Sequence, residues 1–181
     1  FECGTPFEIA GLAEVSKETE ASSEPYHYDN VVAGSNDTVG NDSVTFSCAA
    51  IPDEPYAKIT GQYYDEATGM LVEGGAEQKF FAVGYITKKN DGSEMYVWRL
   101  KGKFNIPGVT SATEENGGGE GNGQEVTYTG CDTIHKFTTK DGKTKGRRAV
   151  NLPAKKTTMT EEEFFASVQT PETITGDVQT V

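Results

Sequence analysis

The sequence predicts a mainly β chain of antiparallel strands. Twenty-one glycines in 181 residues, with frequent threonine and valine and no long helical periodicity, favour strands and loops over a helical bundle. From Phe80 to Phe104 two apolar alternating runs, Phe81/Val83/Tyr85 and Tyr96/Trp98/Leu100, flank the polar cluster Lys88-Lys89-Asn90-Asp91-Gly92. That is the pattern of a hairpin, with Asp91-Gly92 supplying the positive φ of a tight reversal. In the second run Tyr96, Trp98, Leu100 and Phe104 alternate with Arg99, Lys101 and Lys103, which predicts one buried face and one face that is wet or meets acidic partners. A lone hairpin is marginal in water, so further strands or neighbouring chains must complete this one.

The remaining elements follow in chain order within one predicted domain, 1–181. Phe7 to Leu12, continuing through Val15, reads as a first strand with a glycine bulge. Lys17 to Asp42 is polar and acidic, with a short strand-like core at Tyr26 to Val32, and is expected to form an extended flap or long hairpin loop. Loops this long in a compact domain are functional or disordered. Val44 to Ala50 reads as a buried strand. Pro52 to Gly61 has the marks of a short helix: Asp53 as cap, Pro55 in the first turn and Gly61 as the stop. Tyr63-Tyr64 and Met70-Leu71-Val72 bracket the turn Asp65 to Gly69 as a second hairpin. Residues 107–124 are a glycine-rich loop that cannot support a packed core. Glu125 to Thr129 and Ile134 to Thr139 are strand-like, Asp141-Gly142 reverses the chain, and Arg147 to Leu152 returns. Thr160 and Glu163 form a capping box for a helix whose apolar side is Phe164, Phe165 and Val168, with Pro171 as its end. Residues 172–181 are a polar tail, with Ile174 and Val178 spaced for an extended arm.

Charge is distributed unevenly. Residues 1–79 hold 15 acids against three lysines, whereas residues 80–181 hold 13 of each sign, so the whole net charge of −12 lies in the first part. Lys136 to Lys156 carries eight basic residues against the single Asp141. Such polarity suits head-to-tail contact between identical copies, and equally a solvated basic strand face; the acidic total argues against non-specific duplex DNA binding. Cys3, Cys48 and Cys131 are odd in number and form no CxxC pair, which predicts free, mostly buried thiols and neither a disulfide framework nor a zinc site. No run of 18 apolar residues occurs, so no membrane span is expected, and the start at Phe1 reads as processed or truncated.

Motifs that resemble chemistry fail on their context. Gly142-Lys143-Thr144 looks like the end of a phosphate-binding loop, but Phe137 stands where that pattern needs glycine. Gly117 to Gly123 lacks a strand-to-helix setting. His27 and His135 lie in strand patterns without a serine or cysteine partner. Glu114-Glu115 sits in the glycine-rich loop, and Glu161-Glu162-Glu163 opens a helix, where acids suit the dipole. Asp65 to Gly69 lacks the alternating oxygen ligands of a calcium loop. Asn36-Asp37-Thr38 and Asn41-Asp42-Ser43 match the glycosylation acceptor pattern, which matters only in a secreted eukaryotic chain. The expectation is no catalytic residue, no cofactor and no metal.

The order of the pieces carries a resemblance. A short helix after Pro52-Asp53-Glu54-Pro55 leads into Gly61-Gln62 and a Tyr64-Asp65-Glu66-x-Thr68-Gly69-x-Leu71-Val72 segment. Phe81-Ala82-Val83-Gly84-Tyr85, a lysine-rich turn, Tyr96-Val97-Trp98-Arg99-Leu100 and Lys101-Gly102-Lys103-Phe104 then follow. This run resembles the major tail protein, or tail tube protein, of long-tailed bacteriophages of Gram-positive bacteria. Residues 12–50 resemble that family's acidic flap and following strand, and Thr160 to Pro171 its terminal helix. The glycine-rich insertion after Pro107 is longer than the family pattern, and the upstream strand is cut short.

The resemblance implies a β-sandwich or barrel-like tail tube fold with a short flanking helix and a C-terminal helix. It implies hexameric rings that join their inner sheets and stack into a virion tail tube, assembled in the bacterial host cytoplasm. The implied partners are the chain itself, a tape-measure protein in the lumen, tail terminator and distal tail proteins, and DNA passing without specific binding; no membrane is involved. Closing the sheet across subunits removes exposed strand edges. Acids of the first half would then make the bore electronegative and repel passing phosphates. On this reading Tyr26, His27, Tyr28 and Asp29 of the flap and Lys143, Lys145, Arg147 and Arg148 of the basic stretch are the expected contacts between rings, and Phe81, Val83, Tyr85, Tyr96, Trp98 and Leu100 the core hairpin. An immunoglobulin-like surface adhesion or pilus module is the alternative that composition also allows, and a small hydrolase finds no support in the motifs.

Overall fold

The computed structural model describes residues 1–28, 31–75, 77–105 and 123–174, with backbone alone for 24–28 and 31–38. The chain is mainly β, an antiparallel sheet curled into a half-barrel with two helices. Its strands are β1 (Leu12–Tyr28), β2 (Val31–Ala49), β5 (Phe81–Lys88), β6 (Glu94–Phe104), β7 (Gly123–Gly130) and β10 (Ala149–Pro153), and two small hairpins stand apart, β3 (Tyr63–Asp65) with β4 (Met70–Val72) and β8 (Lys136–Thr138) with β9 (Thr144–Gly146). The sheet runs β1-β2-β7-β6-β10, with β5 on the other side of β6.

Two expected hairpins form as read. Phe81–Lys88 and Glu94–Phe104 pair around a turn in which Gly92 takes φ 74°, and Asp65 to Gly69 joins β3 to β4 with Gly69 at φ 70°. The third is shorter: Asp141-Gly142 does reverse the chain, but β8 pairs with Thr144–Gly146, and the strand expected to return at Arg147 to Leu152 starts at Ala149 and pairs with β6 instead. The first strand begins at Leu12, not Phe7. β2 ends at Ala49, whose N–H bonds Gly11 O at 2.9 Å, so residues before Gly11 have no part of β2 left to pair with. The flap is more regular than its composition suggests. Residues 17–28 and 31–42 lie within one antiparallel ribbon paired out to Tyr28↔Val31, because backbone pairing asks nothing of the side chains that point away from it.

β6 corrects the expectation of one dry and one wet face. Val83 pairs with Arg99 and Phe81 with Gly102, so β6 inserts one extra residue between them. Such a bulge inverts the alternation of facing side chains. Phe104 therefore joins Val97 in the cluster of Val44, Phe46, Ile59, Val83, Tyr85 and Tyr128, while Tyr96, Trp98 and Leu100 pack on the other face with Phe137 and Phe164. Both faces are covered, and Arg99 is itself buried, 6% exposed. The two apolar runs of the hairpin thus serve opposite faces, since partners such as Tyr85↔Val97 and Gly84↔Trp98 share a side.

Each helix covers one cluster. α1 (Asp53–Thr60) buries Tyr56, Ala57 and Ile59, and Gly61 ends it at φ 74° where a Cβ would lie 2.0 Å from Glu77 O. Its N-cap is Pro52 with no side-chain cap; Asp53 stands inside the first turn, where its charge suits the dipole. α2 (Glu161–Phe165) has the predicted capping box, with Glu163 N–H donating to Thr160 Oγ1 and Thr160 N–H to Glu163 Oε2. It stops at Phe165, well before Pro171. Thr170, Thr173 and Gln169 bond one another and the local backbone instead, with Thr170 N–H donating to Thr173 Oγ1 at 2.8 Å, the competition that pulls such residues out of helices. The glycine-rich loop predicted at 107–124 lies outside the described residues except at its last two positions, Gly123 and Gln124, which open β7. Of the expected extended arm at 172–181, residues 172–174 are described and form a turn, with Thr173 and Ile174 N–H donating to Thr170 O and Ile174 packed against the second cluster.

Candidate assembly surfaces

One side of β6 is shared. β7 pairs with Gly102–Phe104, whereas β10 pairs with Met95–Arg99, so the sheet splits where one partner gives way to the other. Leu100 N–H donating to Arg148 O and Cys131 N–H to Lys101 O bridge the change. Asp42 sits at this split. Its carboxylate accepts from Arg99 Nη1 at 2.8 Å, Arg148 Nη1 at 3.0 Å and Thr19 Oγ1 at 2.9 Å, with Lys17 Nζ at 3.8 Å. Tyr85 OH takes Arg99 Nε at 3.2 Å. Burial works against the Asp42 charge, but the Thr19 and Arg148 hydrogen bonds and the Lys17 and Arg148 charges outweigh it and hold the carboxyl below the ordinary aspartate range.

Directly beyond this anchor the ribbon changes character. Thr19 pairs with Asp42 and Ala21 with Val39, so Glu20 opposes both Gly40 and Asn41. A Cβ on Gly40 would meet Glu20 Oε2 at 2.7 Å, which makes the bulge a place for glycine. Asp42 is buried; Val39 is 64% exposed. From the bulge outward the ribbon is a two-stranded projection rooted by one ion cluster.

The sheet also ends in open edges. Among the described residues no backbone group pairs with the outer edge of β1 or of β5. Residues 1–10 pass along β5 without pairing with it, and a cleft of about 900 Å³ lies between them, lined by Phe81, Val83 and Tyr85 from one face and by Trp98, Leu100 and Phe165 from the other. At the start of β5 the exposed Phe80 ring carries Lys101 Nζ at 4.6 Å and Lys103 Nζ at 4.8 Å, a cationic aromatic corner.

The expected inter-ring residues are placed in different settings. Tyr26, His27 and Tyr28 lie on the ribbon backbone, with side chains outside the described set, and Asp29 is outside it altogether. Lys143 and Lys145 are exposed on the β8–β9 hairpin, and Lys143 pairs with Asp141 at 3.2 Å. Arg147 donates to Thr139 Oγ1 at 3.0 Å, and Arg148 is occupied within the subunit by Asp42 and Asp132. Lys143 and Lys145 are thus the outward-facing pair, and Arg148 belongs to the anchor. Of the cysteines expected to be mostly buried, Cys48 is buried, Cys131 intermediate and Cys3 exposed; all three are free. His135 stacks edge-on against Phe137 at 4.7 Å.

The chain matches no protein-family model, no curated protein and no solved structure. The Asp42 anchor does not stand out in the sequence: Asp42 ends an acidic stretch and Arg99 sits in an apolar run. The signal available was that run itself, where an arginine flanked by Trp98 and Leu100 needs a buried partner.

Proposed function

We propose that this protein is a self-assembling structural subunit of a phage tail tube, joining edge to edge into rings that stack. The observation that carries the reading is the unpartnered outer edges of β1 and β5, both longer than the open edge of the five-residue β10, on a sheet that is covered on both faces around β6 and leaves the second face of β1, β2 and β7 toward solvent. Unpaired edges invite further strands, and in a stable subunit they are blunted or used.

Strand direction supports a ring. Across β1, β2, β7, β6 and β5 every neighbouring pair is antiparallel, so the two outer strands point the same way. Copies related by rotation about an axis along the strands keep that direction and meet β5 to β1 in parallel. A two-fold axis perpendicular to the strands would join like edges antiparallel instead. The projecting ribbon is available for the ring above or below, and the exposed Lys143 and Lys145 offer basic ground for acidic residues of another copy.

Negative-stain microscopy of the concentrated protein tests the proposal. Rings or tubes of uniform diameter are the expected result. A monomer at every concentration, or a two-fold dimer that does not grow, would overturn it.

A further inference from the structure

The segment before β1 covers the β5 edge without satisfying it. Its one backbone bond to the sheet is at its root, Gly11 O to Ala49 N–H, and side chains hold the rest. Phe1 packs edge-on against Phe137 at 5.3 Å, Lys58 Nζ lies 5.4 Å from the Phe7 ring, and Ile9 and Ala10 rest on the core. The cleft left between this segment and β5 is open to both faces of the sheet. A segment that laddered onto β5 would be a permanent strand. One that shields the edge and leaves its N–H and C=O groups unbonded loses to any strand that brings them partners.

We infer that the cleft beside β5 is the berth for the β1 edge of a second copy, and that residues 1–10 are a cover which the incoming strand displaces. This rests on the assembly reading above and adds to it a barrier: the free subunit is protected against edge-to-edge association until the cover leaves. Being tethered beside its site, the cover competes at an effective concentration in the millimolar range, so dilute subunits stay apart.

Cys3 and Ser167 line the same small cavity at the far end of the segment, which provides a lock. In Ser167→Cys, with Cys48→Ala and Cys131→Ser to leave Cys3 one partner, oxidation should fix the cover and abolish growth in light scattering, and reductant should restore growth. Phe1→Ala/Phe7→Ala should act in the opposite sense and lower the concentration at half-assembly by up to about tenfold, the factor that two ring contacts of this kind hold. Assembly of the oxidised lock at the unlocked rate would overturn the inference while leaving the ring reading intact. Where oxidation alone does not join the two thiols, a reducible bis-maleimide should bridge them across the shared cavity; failure of that bridge to form would contradict the resting position of the segment and overturn the inference. If the parent chain itself never assembles, the ring reading falls and the inference with it.

Discussion

Asp42 and Arg99, 57 residues apart, bond at 2.8 Å with both side chains buried, and so tie the root of the ribbon to the middle of β6. Asp42→Asn keeps the shape and removes the charge, leaving the Arg99 guanidinium buried with no anion beside it. Losing one member of a buried pair costs about 3–5 kcal/mol. Urea unfolding should show a loss of that size, with coupling of at least about 1 kcal/mol to Arg99→Gln in a double-mutant cycle. Strict additivity would mean that the two groups do not stabilise each other.

The same carboxylate gives stability an acid limb. Its folded pKa lies below the ordinary value, with burial opposing the charge and the Thr19 and Arg148 bonds and nearby cations prevailing. A depressed folded pKa contributes stability that is present above the unfolded value, about 3.9, and is lost as pH falls through the folded one. The urea midpoint should therefore drop below about pH 4. In Asp42→Asn that part of the slope should disappear, and an unchanged slope would assign acid sensitivity elsewhere.

How much of this was legible in the sequence depends on the scale of the signal. Local patterns such as the Asp91-Gly92 hairpin, the Gly61 helix stop and the Thr160/Glu163 box read correctly, because each is fixed by residues within a few positions. The bulge in β6 did not read. Alternation from Tyr96 to Phe104 is unbroken in the sequence, and the extra residue exists because β6 changes partner from β10 to β7, a tertiary event. The extent of the β1–β2 ribbon was underestimated for the converse reason: polar composition says loop, while the backbone ladder is indifferent to it. The open edges follow from which strands lie beside β1 and β5, something periodicity does not encode.

Two glycines separate steric from conformational demand. A Cβ on Gly102 would lie 2.4 Å from both Thr129 O and Tyr128 Cζ, and Tyr128 is held by its own hydroxyl donating to Phe81 O at 2.8 Å. On Gly92 a Cβ meets nothing, and the objection is its φ of 74° alone. Gly92→Ala should cost about 1–2 kcal/mol. Gly102→Ala should cost more, about 3 kcal/mol, since overpacking against fixed backbone forces strands apart. Chemical denaturation ranks the two; the reverse order would mean that β6 and β7 shift apart easily at this point.

The ribbon beyond the Glu20 bulge is separable from the folded body. Its backbone pairs run only between β1 and β2 from Ala21↔Val39 outward, and β7 accompanies β2 no further than Asp42. A two-stranded projection adds little to the stability of the body and is marginal by itself. Replacing residues 21–39 with an Asn-Gly turn should therefore leave circular dichroism and the thermal midpoint nearly as in the parent, because the Asp42 cluster stays whole. Rings should still close through β1 and β5, whereas stacking into tubes should be lost in electron micrographs. Full-length tubes from the shortened chain would remove the ribbon from assembly, and a collapse of the thermal midpoint would show that the body depends on it.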